Sequence, residues 1–92
     1  MYVLVEHQKT YLNRRISEIQ ELKQALDLDD FEVAIRIGHK LKGNGETFGY
    51  PEISAIGNIL ELAAEARDKN KINEAIEKLA QIVEKSLDSL FQ

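Results

Sequence analysis

The chain has 92 residues, 43% hydrophobic and 30% charged, which suits one domain over residues 1–92 with a modest core. Acidic residues outnumber basic ones, 16 to 12, for a formal net charge of −4, and this disfavours nucleic acid or an anionic membrane surface as the main partner. With no cysteine there is no disulfide framework and no thiolate metal site, and no apolar run approaches the ~20 residues of a membrane span.

A first helix is expected over about Leu4–Leu26, where Val5, Leu12, Ile16, Ile19, Leu22 and Leu26 share one face at helical spacing. Tyr11 flanks that face, Arg15 sits at its edge beside Arg14, and His7 falls on the polar side. Asp27-Leu28-Asp29-Asp30 breaks the pattern. Asp29 or Asp30 suits the N-cap of a second helix over about Phe31–Thr47. Its core face takes Ala34, Ile37, Gly38, Leu41, Gly45 and Phe48. In Phe48-Gly49-Tyr50-Pro51, Gly49 suits a left-handed C-terminal position and Pro51 the first turn of a third helix. That helix is expected over about Pro51–Lys69, buried through Ile53, Ile56, Gly57, Leu60, Ala63 and Ala64, with Glu65 and Lys69 as an i,i+4 pair. A polar turn at residues 67–71 leads to a fourth helix over about Ile72–Leu90. It buries Ile72, Ile76, Leu79, Val83, Leu87 and Leu90, and Glu74–Lys78 repeats the supporting pair. Four amphipathic helices with short connections predict an all-α fold, a single antiparallel up-down-up-down four-helix bundle. Each stripe finds a partner inside the bundle, so a monomer is expected. The start, Met1-Tyr2-Val3-Leu4-Val5, lacks the charged region of a signal peptide, and a cytoplasmic domain is the default.

The second helix carries an anomaly. An interior helical glycine costs about 1 kcal/mol relative to alanine, and Gly38, Gly43 and Gly45 all fall within it. Gly38 and Gly45 lie a heptad apart on the core face, where small residues let a neighbouring helix approach closely. Gly43 points nearly the other way, and His39 lies roughly 140–150° from the core face at 100° per residue. Helix packing does not explain an outward glycine. Gly43 is i+4 from His39, Lys42 is i+3 and Arg36 is i−3, all surface neighbours of the imidazole. A neutral imidazole is a nucleophile. With Gly43 one turn on, a partner can reach its ring nitrogen from outside. The cations Arg36, Lys40 and Lys42 would steady the oxygens of a transferring phosphoryl group. A metal site is disfavoured: near His39 only Glu46 offers a further ligand, and zinc takes three or four from the protein.

The stretch His39-x-Leu41-Lys42-Gly43, followed by Phe48-Gly49, resembles the signature of histidine-containing phosphotransfer (HPt) domains. Leu60-Glu61 resembles a recurring Leu-Glu of that family, and the Tyr11–Arg15 run with Asp30-Phe31-Glu32 resembles a bacterial subset. The resemblance spans about Tyr11 to Leu87. It implies a relay in which a receiver-domain aspartate, or a hybrid sensor histidine kinase, passes a phosphoryl group to His39, which passes it to a response-regulator receiver. Lys42 would steady the phosphoryl group, Gly43 would clear space, and Gly49 would end the site helix. The family binds no nucleotide or cofactor of its own and is not an autonomous enzyme; Mg²⁺ belongs to the partner receiver. Asn44-Gly45-Glu46 replaces the family's run of small residues, and Glu46 either pairs with Lys42 or repels the phosphoryl group.

An acidic receiver pocket would complement Arg36, Lys40 and Lys42, with association slowing as salt rises. Ile35, about 40° from His39 on the helix, is a candidate for an apolar docking core, and equally for the edge of the bundle core. Tyr50 is a second docking candidate. Two other readings stand beside the relay: a non-phosphorylated helical adaptor, and an enzyme using His39 and Glu46 as an acid–base pair. The second is poor, because a small solid bundle leaves little room for a substrate pocket.

Overall fold

Apolar periodicity becomes four helices in the computed structural model, which describes residues 3–91. They are α1 (Val5–Asp27), α2 (Phe31–Asn44), α3 (Pro51–Glu65) and α4 (Lys69–Leu90), with a 3₁₀ turn, Glu46–Phe48, after α2. Each helix packs on its chain neighbours, and α1 packs on α4 to close the bundle. Leu12, Leu22, Ile37, Leu41, Ile53, Leu60, Ile72, Ile76, Leu79 and Val83 are fully buried at its centre, each contributing about 1.5–3 kcal/mol of burial. No described helix is long and apolar enough to cross a membrane.

Several boundaries differ from expectation. The second helix stops at Asn44, not Thr47. The chain tightens there into the 3₁₀ turn and ends on Gly49 at φ 91°, the left-handed geometry expected of that glycine. Pro51 opens α3 as expected. The third helix ends at Glu65, not Lys69, because Arg67 turns left-handed at φ 55°. Asp68 then caps α4 by accepting from the Lys71 N–H at 3.1 Å, so of the polar run expected as a turn Arg67 and Asp68 do turn, while Lys69–Lys71 open α4. Lys69 therefore cannot pair with Glu65; it reaches Asp29 at 2.6 Å and ties together the two connections at that end of the bundle. Glu74 and Lys78 form no ion pair among the described residues. Asp30 occupies the N-cap of α2, but neither it nor Asp29 makes a side-chain cap bond.

The stripe of α1 is rotated from the one expected. Val5 and Ile16 are exposed, while Tyr11 and Ala25 are buried, with Arg15 and Glu18 beside them. Burying Arg15 and Glu18 is tolerable because they are neighbours and oppositely charged.

The closest approach in the bundle is between α2 and α3. A Cβ on Gly38 would stand 2.7 Å from the Glu61 backbone nitrogen and 2.9 Å from the Gly57 carbonyl oxygen. A Cβ on Gly57 would run into the Lys42 backbone nitrogen and lie 2.7 Å from the Gly38 carbonyl oxygen. One on Gly45 would meet the Tyr50 carbonyl oxygen at 2.9 Å. The two helices touch backbone to backbone, and this brings the side chains along their shared edge together.

Candidate functional site

His39 stands on that edge. Its side chain is 76% exposed, and its Nδ1 lies 2.8 Å from Oε2 of Glu61 on α3, a carboxylate only 14% exposed. A carboxylate facing Nδ1 favours the tautomer with the proton on that nitrogen. Nδ1–H then donates to Glu61, and the Nε2 lone pair is left to solvent. Lys42 lies on the other side of the same carboxylate, Nζ to Oε1 3.8 Å. Nothing stands within 4 Å of where a Gly43 Cβ would be. The site is thus an open imidazole, oriented by an acidic residue of the neighbouring helix, with one cation and one vacant surface beside it.

The remaining site candidates are spread around it. Arg36 reaches Glu21 on α1 at 3.5 Å, an exposed pair of little energetic weight. Lys40 points the same way and pairs with Glu18. Ile35 is half-buried and packs against the core. Glu46 is exposed in the 3₁₀ turn, where its backbone N–H donates to Ser54 Oγ at 2.7 Å. It does not pair with Lys42, and the carboxylate on His39 is Glu61, which removes the proposed His39–Glu46 acid–base pair. Among the described residues no group of three or more potential metal ligands gathers.

Tyr50 is half-buried in an aromatic stack under the site helix: its ring lies 6.2 Å from Tyr11, which stacks on Phe48 at 4.4 Å. The Tyr11 hydroxyl donates to Asn44 Oδ1 at 2.6 Å and so fastens the last turn of α2 to α1. The Arg15 guanidinium lies 4.2 Å over the Tyr11 ring. Its Nε faces Glu18 Oε1 at 2.9 Å, a charge contact in which the N–H does not point at the oxygen, so neither buried atom has a hydrogen-bond partner.

Burial pushes the Tyr11 hydroxyl above the ordinary tyrosine pKa, against a smaller downward pull from Arg15. The folded state then holds that proton to higher pH than the unfolded chain. Its contribution to stability is complete below about pH 10 and is lost as pH rises through the raised folded value. Tyr11→Phe should therefore flatten the alkaline fall in stability, read from urea midpoints at pH 8 and pH 11.

Sequence reasoning missed Glu61 as a partner of His39, since the two are 22 positions apart on different helices. Its only signal was the resemblance of Leu60-Glu61 to a family pattern. Arg15, Glu18 and Asn44 were missed as a network because polar residues on an amphipathic helix read as solvated.

Residues 10–90 match the family model described as the Hpt domain. No curated protein and no solved structure matches the chain. Domains of this family interact with receiver and kinase domains. The match covers most of a chain that folds as four helices: it belongs to the Hpt domain family and serves histidine phosphotransfer in two-component signalling, as a phosphocarrier intermediate and not an autonomous enzyme.

Proposed function

We propose that His39 is the residue that carries the phosphoryl group. The observation that supports this most is the pairing of Nδ1 with Glu61, which leaves Nε2 exposed beside open space at Gly43. Nε2 attacks the phosphorus of an aspartyl phosphate on a receiver; the N–P bond forms as the P–O bond to the aspartate breaks, and the aspartate leaves as a carboxylate. The reverse step on a second receiver, or on the same one, discharges the histidine. The imidazole gains positive character as it attacks, and Glu61 offsets it through Nδ1–H, acting as a positioning residue. Lys42 turns from Glu61 toward the phosphoryl oxygens. Gly43 leaves the approach clear. Arg36, Lys40 and Ile35 flank the approach as docking residues, with Glu46 and Tyr50 at its far end. The donor is a hybrid sensor kinase or its receiver, the acceptor is a response-regulator receiver, and the setting is the cytoplasm. Residues 1–92 act as one such domain, a monomer. Mg²⁺ is supplied with the receiver.

Incubation with a cognate phosphorylated receiver, followed by mass spectrometry at neutral or alkaline pH, tests the reading. Phosphate on His39 and none on His39→Gln is expected. Glu61→Ala should slow transfer about tenfold, ~1.4 kcal/mol in the barrier, with most of the change in kcat. Glu61→Gln should recover part of it, because the amide oxygen still accepts from Nδ1–H. No transfer from a full panel of cognate donors to folded protein would leave the adaptor reading.

A further inference from the structure

A cleft of about 630 Å³ lies between α1 and α2, and of its lining residues only Lys40 has so far been given a part in docking. His7, Tyr11, Arg14, Arg15, Glu18 and Lys40 are among the residues that line it. Three permanent cations against one carboxylate give it an excess of two positive charges, in a chain whose net charge is −4. The arrangement is built. Glu18, one-tenth exposed, is held from both sides by Arg15 and Lys40, so the one carboxylate among the described lining residues is already paired. The Arg15 guanidinium is itself fixed on the Tyr11 ring. Arg14 is exposed and in no ion pair among the described residues, and the Lys40 side chain is 47% exposed. The other acidic side chains on nearby turns of α1 are engaged elsewhere, Glu21 with Arg36 and Glu6 with Lys9. Lys40 follows His39 on α2, about 100° around the helix axis, so the cleft opens on the α1 flank of His39.

We infer that this α1–α2 cleft is a second anchoring point for the transfer partner, and that it receives an acidic side chain of the receiver between Arg14 and Lys40. The inference rests on His39 being the phosphoryl carrier, since that places the receiver over this flank. The cleft would fix the partner's rotation about the His39 contact. An anchor of this kind acts on encounter and orientation and not on the chemistry at Nε2.

The test uses the full chain and two donors: a cognate phosphorylated receiver, and phosphoramidate, a small donor that makes no docking contacts. At low salt, Arg14→Glu should lower kcat/KM for the receiver at least tenfold, mainly through KM, and leave labelling by phosphoramidate unchanged. The difference should shrink at 0.5 M salt. Lys23→Glu makes the same charge change on α1 but faces α4, and it should stay within about twofold of wild type. Unchanged receiver transfer in Arg14→Glu, or an equal loss in Lys23→Glu, would overturn the inference and leave His39 as the carrier. Failure of both donors on the wild-type protein would remove the His39 reading, and the cleft's role with it.

Discussion

Gly57→Val is expected to cost about 3 kcal/mol or more, a large part of the 5–15 kcal/mol that holds a small domain folded. Overpacking usually costs about 1–3 kcal/mol, because side chains can shift to relieve it. Here the obstacles are the Lys42 backbone nitrogen and the Gly38 carbonyl oxygen, and neither can rotate away. The only relief is separation of α3 from α2. A urea titration should show a lower midpoint, and the imidazole resonances of His39 should move as well, because separation draws Glu61 away from Nδ1. A midpoint within the range of ordinary surface substitutions would mean that the two helices adjust more easily than their backbone contact implies.

At Gly43, fourteen residues away in sequence, the same kind of change should have the opposite effect on the fold. Nothing lies within 4 Å of its missing Cβ. Gly43→Ala should stabilise the protein by about 0.5–1 kcal/mol, since the helix gains an intrinsically better residue at no steric cost. Gly43→Phe should leave the thermal midpoint near that of wild type and, with His39 as the proposed carrier, reduce receiver transfer a hundredfold or more, because a ring one turn beyond His39 would fill the open space beside Nε2. Phosphoramidate, being small, should be affected much less. A Gly43→Phe variant that transfers at the wild-type rate would show that the open surface there serves no approach.

These two positions also show what could be read from the chain before its fold. The outward direction of Gly43 and the inward direction of Gly38, Gly45 and Gly57 follow from 3.6-residue periodicity alone, and the structure agrees. The buried faces of α2, α3 and α4 were legible for the same reason. The stripe of α1 was not, because its most buried flank carries Arg15 and Glu18. Charge at those positions argues for solvent until the opposite charge and the stacked Tyr11 ring are seen. The start of α4 was missed because Lys69, Asn70 and Lys71 are polar in composition, and only the bond from the Lys71 N–H to Asp68 reveals a helical first turn. The Glu61–His39 contact lay beyond reach for a different reason: periodicity assigns a residue to a face but does not say which residue of the next helix stands opposite.

The exposure of His39 carries a consequence for traffic through the relay. Its imidazole sits on a helix pair locked by backbone contact, and none of the described residues covers it. If His39 is the carrier, donor and acceptor must take the same nitrogen in turn, never together. Turnover is then of the exchange type, and an excess of either partner in its unproductive form inhibits by occupancy. An uncovered nitrogen also has no means of preferring one direction. Net flow would be set by which partner holds its phosphoryl group less tightly and by how much of each is present, so the module would drain a pathway as readily as it fills one.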